Sequence, residues 1–235
     1  MWGAMANFRA AALFAVWMAA CTPAPAPEQA SEPATAEADS DELNLDLWLE
    51  RMEVGSRELY SARDEVVNAL GLKPGDSIAD IGAGTGLYTL LFAEAIGPTG
   101  RVYAEDIESL FLELINQRAD DAGAENITAV LGRENDVTLP ANSIDIVFIA
   151  DTYHYFGDRE TVMKSVLRAL KPGGSLVLVD YDLKPGEERP ADKEHVRFGK
   201  AGVISEIEYI GFKLADDVEV PGLEENYFLR FVKPQ

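Results

Sequence analysis

One segment, Ile78–Thr89 with the sequence IADIGAGTGLYT, constrains the fold more than any other part of this 235-residue chain. It reads as an apolar strand that breaks into three closely spaced glycines and resumes as an amphipathic helix. Glycine is needed where a backbone turns at positive φ and where a ligand must approach without meeting a Cβ atom. A helix that follows a parallel strand also points its first N–H groups toward such a ligand. The segment therefore predicts a strand–loop–helix unit with a ligand at the loop.

Strand and helix patterns alternate along the rest of the chain. Apolar runs near 77–81, 101–105, 127–131, 144–150 and 175–180 predict strands, and the segments between them carry the 3.6-residue periodicity of amphipathic helices. Such alternation predicts an α/β fold with a parallel sheet and right-handed crossovers. Two final strands, near 212–220 and 226–232, have only a short Pro221-Gly222 link between them, which predicts an antiparallel last strand.

The glycine spacing distinguishes between two kinds of nucleoside ligand. A dinucleotide site requires G-x-G-x-x-G, and Leu87 stands where its third glycine should be. The spacing D-x-G-x-G-x-G, from Asp80 to Gly86, instead resembles motif I of class I S-adenosylmethionine-dependent methyltransferases. The later stretches NSIDIVFIADTYHYF and LRALKPGGSLVLVDYDL resemble the second half of the pattern in members that act on small molecules, so the resemblance covers roughly residues 70–182.

This resemblance implies a Rossmann-like, seven-stranded, mostly parallel sheet with helices on both faces and an antiparallel last strand. It also implies S-adenosyl-L-methionine as the methyl donor. The residues it assigns to the cofactor follow the ends of strands one to four: Asp80, Gly82, Ala83, Gly84, Gly86, Glu105, Asp106, Glu134 and Asp151.

Two of these assignments have alternatives. A carboxylate after the second strand would accept hydrogen bonds from the ribose hydroxyls; Asp106 fits the family position best, and Glu105 is the alternative. After the third strand the family often has Gly-Asp-Ala, whose Asp holds the adenine amino group. Arg133 stands at that place here, so Glu134 or Asn135 would have to supply the acceptor.

The part of the site that would bind the methyl acceptor, called the acceptor side below, is expected beyond strands four and five. His154 and Tyr153 are the predicted catalytic residues, because an imidazole with an ordinary pKa of about 6.5 can take a proton from an acceptor hydroxyl or amine. The alternative for His154 is a role in the site wall, through a hydrogen bond or stacking. Asp180 also follows a strand on this side, and no metal site is predicted.

Charge and cysteine content limit the partners. The chain has 20 basic and 41 acidic residues, a formal net charge of −21, and so lacks the cationic surface that binds a phosphate backbone. We expect a small-molecule acceptor and no nucleic acid. The single cysteine, Cys21, allows neither an intramolecular disulfide nor a cysteine-based zinc cluster.

The first 42 residues differ in composition from the rest. Residues 1–20 hold a short apolar run that ends at Ala19-Ala20-Cys21 and resembles a bacterial lipoprotein signal peptide, with Cys21 as the lipid-anchored residue. Residues 21–42, rich in Pro, Ala and acid, are predicted to be a disordered linker, and residues 43–235 the methyltransferase domain. The expected location is the cell envelope, facing the periplasm, if the signal is processed, and otherwise the cytoplasm.

Two hypotheses about function follow. In the first, the protein transfers a methyl group from S-adenosylmethionine to a small-molecule acceptor by in-line displacement at the sulfonium methyl. In the second, the methyltransferase fold serves as a non-catalytic ligand-binding or interaction module at the cell envelope. The second arises because the signal would place the domain where this cofactor is not expected to be supplied.

Overall fold

The computed structural model describes residues 44–184, 186 and 196–235. The predicted signal peptide and linker lie outside these residues. The helices are α1 Leu45–Met52, α2 Glu58–Ser61, α3 Arg63–Leu70, α4 Leu87–Ile96, α5 Ser109–Ala122, α6 Arg159–Ala169 and α7 Lys200–Ile210, with a 3-10 turn at Tyr153–Tyr155. The strands are β1 Ser77–Ile81, β2 Arg101–Asp106, β3 Ile127–Leu131, β4 Ile144–Ala150, β5 Leu170–Tyr181, β6 Lys213–Val218 and β7 Asn226–Val232.

The seven strands form one sheet in the order β3-β2-β1-β4-β5-β7-β6. β1 to β5 pair in parallel, whereas β7 is antiparallel to both β5 and β6. The predicted fold class is therefore confirmed. The strand order reverses between β1 and β4, and in open α/β sheets a ligand binds beyond the carboxyl ends of the strands at such a reversal. The glycine loop directly follows β1 and so lies at that point.

The central strands are apolar because helices and loops cover both faces of the sheet. On one face the aromatic rings of Tyr88, Phe92 and Phe148 pack together, with centroids 4.9–5.7 Å apart. Phe92 and Phe148 are fully buried. This cluster fixes α4 against β4, and α4 in turn holds the C-terminal side of the glycine loop in place.

Two element boundaries differ from the sequence pattern. The pattern predicts one helix over residues 58–70, but the helix breaks at Ala62, against which the backbone of Gly222 packs closely. Glu58 accepts hydrogen bonds from the N–H groups of Glu224, Glu225 and Asn226 and so ties this short helix to the β6–β7 link. A contact between residues more than 150 positions apart leaves no signal in the local periodicity.

The second difference concerns β5, which begins at Leu170 rather than at Ser175. The intervening Lys-Pro-Gly-Gly sequence is typical of a turn that ends a helix before the next strand begins. In the structure, however, Leu170 already pairs with Ile144, and the register then shifts between Ile144 and Ile146. The glycines are accommodated as an irregularity at the start of the strand. Among the described residues, no helix is both long enough and apolar enough to cross a membrane.

We expect Phe148→Ala to lower the free energy of unfolding by about 3–5 kcal/mol, because it opens a cavity in a fully packed cluster. Urea unfolding followed by circular dichroism measures this change. The control is Tyr209→Ala, since Tyr209 is 80% exposed on α7 and its removal should change stability by no more than about 0.5 kcal/mol. Equal effects of the two substitutions would contradict the assignment of Phe148 to the core.

Candidate functional site

The glycine loop has the backbone geometry that its sequence predicts. Gly82, Gly84 and Gly86 all have positive φ, at 66°, 53° and 79°. A Cβ atom at Gly86 would lie 2.7 Å from the side chain of Ile115, so α5 can approach the loop only because this residue has no side chain. The loop thus turns sharply and packs closely against α5. Helix α4 begins directly after it, at Leu87.

Asp106 is bonded directly to the loop. Its carboxylate accepts one hydrogen bond from the Gly84 N–H at 2.9 Å and another from the Glu108 N–H at 2.9 Å. The next contact along the two strands is between backbones, from the Ala83 N–H to the carbonyl of Glu105 at 3.0 Å. The structure therefore brings Asp106, predicted to bind the ribose, against the glycines from β1.

Asp80 lies below the loop, at the end of β1. It is 4% exposed and accepts a hydrogen bond from the Thr89 hydroxyl at 2.6 Å, which joins β1 to the first turn of α4. Its contacts are with the framework of the loop, and its predicted role in seating the methionine portion of the cofactor stays a prediction.

Glu105 packs against Gly132, at the end of β3. A Cβ atom at Gly132 would overlap Glu105 Oε1, so only glycine leaves room for this buried carboxyl group. Sequence reasoning did not single out Gly132, although a glycine directly after a strand end was a signal that could have been used. The adjacent candidate Glu134 is exposed in the Arg133–Asp136 turn, and its role at the adenine stays a prediction.

Three carboxyl groups are therefore buried around one loop. Burial, together with the nearby Asp106 carboxylate, raises the pKa of Asp80 to about 7 and that of Glu105 to about 8. Burial also raises the pKa of Asp106, against the hydrogen bonds from Glu108 and Gly84 that lower it. Such a site favours a ligand that donates hydrogen bonds or carries positive charge.

The segment around α1 covers the glycine loop, a contact that sequence reasoning missed. The Met52 side chain lies over Gly84, and Trp48 stacks edge-on against Phe111 of α5. Arg118 of α5 forms an ion pair with Glu53 and also donates a hydrogen bond to the carbonyl of Thr85 at 2.9 Å. α1 is thus held against both α5 and the loop.

Two side chains of the acceptor side form a close pair. His154 Nδ1 lies 2.6 Å from Asp180 Oδ1, and the two side chains are 6% and 3% exposed. The Tyr181 N–H donates to the same carboxylate oxygen at 2.7 Å. The 3-10 turn after β4 positions His154, whereas Asp180 lies near the end of β5, so adjacent parallel strands bring the two together.

Asp151 lies beside this pair. Its carboxylate forms an ion pair with Arg57 at 2.9 Å, and one donor atom from each of Asp151, His154 and Asp180 lies within 4.8 Å of the others. His and carboxylate donors can hold divalent cations, but the guanidinium of Arg57 already neutralises Asp151. The assignment of Asp151 to the cofactor stays a prediction.

Tyr153, the other predicted catalytic residue, is engaged in the wall of the site. Its hydroxyl donates a hydrogen bond to Glu206 of α7 at 2.7 Å, and Arg159 donates to the same carboxylate. Burial and the Glu206 carboxylate raise the pKa of Tyr153 well above its ordinary value of 10. The phenol therefore stays protonated at neutral pH and is poorly suited to act as a base.

A small recess opens beside the His154–Asp180 pair. Its wall is largely aromatic and carries two arginines; these residues are Tyr153, Tyr181, Phe198, Tyr227, Arg159 and Arg197. The lining is mostly apolar around one buried acid–base pair, and the recess itself is small, with a volume of about 10 Å³.

The chain is similar in sequence to one family over more than half its length. Residues 44–186 match the ubiE/COQ5 methyltransferase family. The chain belongs to the ubiE/COQ5 methyltransferase family. Membership implies S-adenosylmethionine as the methyl donor, and the site fits it: the carboxyl groups at the end of β2 offer acceptors for ribose hydroxyls, and the glycines carry no Cβ atoms that would block a ligand.

Individual relatives agree with this family assignment. A ubiquinone/menaquinone biosynthesis C-methyltransferase from Ectopseudomonas mendocina is 38% identical over 117 residues, which cover 49% of this chain and 45% of the relative. A demethylmenaquinone methyltransferase from Geobacillus stearothermophilus is 30% identical over 139 residues, 58% of this chain and 59% of that one. The chain spans about half the length of the curated relatives it matches.

Solved structures share the fold. An S-adenosylmethionine-dependent methyltransferase from Aquifex aeolicus superposes with a TM-score of 0.69 at 24% identity, covering 80% of this chain and 98% of that one. A putative methyltransferase from Bacillus halodurans gives a TM-score of 0.61 at 18% identity, covering 74% of this chain and all of that one. At these identities the likeness is one of fold.

The buried carboxyl groups of this ubiE/COQ5 family member predict a pH-dependent stability. Protons bind Asp80 and Glu105 more tightly in the folded than in the unfolded state, so stability falls as pH rises through about 5.5 to 8.5. We expect the ligand-free protein to lose about 4–8 °C in Tm over this range. Differential scanning fluorimetry measures it.

Glu105→Gln should remove part of this slope, because the amide copies the size of a protonated carboxyl group but does not ionise. The control is Glu113→Gln, at an exposed position of α5, which should leave the slope as in the native protein. A Tm that rises over this range, or equal slopes for both variants, would contradict the burial of a proton-binding Glu105.

Proposed function

We propose that this protein transfers the methyl group of S-adenosylmethionine to a ring carbon of a small aromatic acceptor of the reduced-quinone type. The observation that carries the proposal is the hydrogen bond between Asp106 and Gly84, which joins the acid after β2 to the glycine loop in a family of methyltransferases. The printed names of the relatives, which refer to ubiquinone and menaquinone biosynthesis, support the choice of acceptor.

The cofactor, when bound, supplies an electrophilic methyl group on a sulfonium sulfur. Asp106 would hold the ribose hydroxyls, with Glu105 beside it, because both acids follow β2 at the edge of the loop. Gly82, Ala83, Gly84 and Gly86 would contact the methionine portion through their backbone, and Asp80 would support them from below. The main contribution of these residues is orientation and the exclusion of water.

The acceptor would bind beyond the carboxyl ends of β4 and β5, against the mouth of the aromatic recess. A phenolic ring carbon becomes a good nucleophile once its hydroxyl has lost a proton, and His154 is the residue we assign as the base. Tyr153 would shape the recess through its hydrogen bond to Glu206 rather than exchange protons. The acidic surface of the chain supports a neutral small molecule over nucleic acid as the acceptor.

We also propose that Cys21 is lipid-anchored and that residues 21–42 tether the domain to the cell envelope. Quinone-type molecules partition into lipid, so a membrane-proximal methyltransferase would meet such an acceptor at its source. The Ala19-Ala20-Cys21 sequence and the acidic Pro/Ala composition that follows support this location.

The proposed function is tested by titrating the full chain with S-adenosylmethionine in a calorimeter and then assaying transfer of a labelled methyl group to 1,4-dihydroxynaphthalene. Asp106→Asn should weaken cofactor binding about 10-fold to 100-fold, because a charge-assisted hydrogen bond contributes about 1.5–3 kcal/mol. The amide oxygen can still accept from Gly84, so the loop should keep its shape.

Asp121→Asn, at an exposed position of α5, is the matched control and should bind the cofactor as the native protein does. Absence of cofactor binding by the native protein would refute the proposed function. Binding without methyl transfer to this or another reduced quinone would favour the non-catalytic alternative.

The proposed anchor is tested by fractionating bacterial cells that express the full chain. We expect the protein in the membrane fraction, labelled by radioactive palmitate, and we expect Cys21→Ser to lose both the label and the membrane association. An Ala19→Ser variant, which keeps a small residue, should behave as the native protein does. Unlabelled native protein in the cytoplasm would contradict the anchor.

A further inference from the structure

We propose that Asp180 is a positioning residue that fixes the orientation and tautomer of His154, so that His154 Nε2 is the atom that takes the proton from the acceptor. This inference rests on the proposed function for its catalytic consequence. The juxtaposition that carries it is the 2.6 Å contact between His154 Nδ1 and Asp180 Oδ1, inside the wall of the aromatic recess.

The contact determines which nitrogen carries the proton. An ionised carboxylate can only accept hydrogen bonds, so Nδ1 must donate, and the neutral ring then carries its proton on Nδ1. Nε2, the nitrogen that Asp180 does not contact, is left in its basic form. Without a partner at Nδ1, the two tautomers would exchange and the ring could rotate.

Asp180 is itself held rigidly. It is the last but one residue of β5 and pairs with Tyr227 of the neighbouring strand. It accepts the Tyr181 N–H through the same oxygen that contacts His154. Its side chain is only 3% exposed. A carboxylate fixed by a strand can therefore transmit its orientation to the imidazole, which stands on a short 3-10 turn.

The groups around His154 favour acid–base work over cation binding. Asp151 approaches the pair, but Arg57 neutralises it, and Arg159 and Arg197 line the same recess. The Tyr155 ring lies against the imidazole with its centroid 4.3 Å away. Three arginines near one candidate cation position oppose a divalent metal, whereas they stabilise an acceptor oxygen that becomes negative.

The step balances with the methyl donor as the only co-reactant. The acceptor O–H bond breaks and its proton goes to His154 Nε2, while the ring carbon forms a bond to the methyl group and the C–S bond of the sulfonium breaks to leave a neutral thioether. The methylated carbon then releases its hydrogen as a proton, the phenolic oxygen regains one, and one proton in total passes to solvent.

Histidine-selective ¹⁵N NMR of the full chain reads the tautomer without any need for turnover. The His154 signals are identified by their absence in His154→Gln. Spectra are recorded at increasing pH until the His154 signals no longer change, and there we expect the Nδ1–H tautomer in the native protein. Asp180→Asn can present an amide N–H to Nδ1 and should shift His154 to the Nε2–H tautomer.

Kinetics with 1,4-dihydroxynaphthalene then test the consequence. His154→Gln should lower kcat by about 10²-fold to 10⁴-fold, and Asp180→Asn by a similar order, with little change in cofactor affinity. The double variant should be no slower than His154→Gln alone, because Asp180 acts only through His154. Asp216→Asn, exposed on β6, is the control and should retain native activity.

An Nε2–H tautomer in the native protein, or the same tautomer with and without Asp180, would overturn the inference. Additive losses in the double variant would also overturn it, since they assign Asp180 a separate role. Loss of activity with EDTA and recovery on adding Mg²⁺ would instead assign these side chains to a cation. Absence of methyl transfer by the native protein would refute the proposed function, but the tautomer could still be measured because the NMR experiment does not require turnover.

Discussion

The hydrogen bond from the Gly84 N–H to the Asp106 carboxylate is the interaction on which the site depends. It joins the loop after β1 to the end of β2 at 2.9 Å, beside the point where the strand order reverses between β1 and β4. The loop can approach β2 so closely because its glycines carry no side chain, and the acid can be buried because backbone N–H groups satisfy it. The cofactor side of the molecule is built around this one contact.

The burial of three acids at this loop comes at a cost to stability that a ligand can offset. Burial raises the pKa of Asp80 and Glu105, so the ligand-free site holds protons that hydrogen-bond donors of a nucleoside would displace. The carboxyl ends of β4 and β5, at the same edge of the sheet, have different surroundings. There, carboxylates meet Arg57 or His154 and the recess is aromatic, so one part of this edge offers hydrogen-bond acceptors and the other part is where we propose the proton transfer.

Elements that are encoded by short local patterns were predicted from the sequence, whereas features that depend on contacts between distant residues were not. β1, β3 and β4 match the predicted bounds because short apolar runs between glycines and helices leave few alternatives. The helix break at Ala62 and the early start of β5 were not predictable, since each involves a contact with a distant residue, Gly222 and Ile144 respectively. Tyr153, a predicted catalytic residue, likewise donates a hydrogen bond to Glu206, 53 residues away. This contact holds its side chain in the wall of the site.

The sequence by itself determined the fold class, the family and the glycine loop predicted to meet the cofactor, because glycine spacing and strand–helix alternation are local properties of the chain. Only the tertiary structure decided the partners of each polar side chain. It placed Asp180 against His154, Arg57 against Asp151, and α1 over the glycine loop. These pairings depend on which strands lie side by side, and strand order is set by packing of the whole sheet rather than by any one segment.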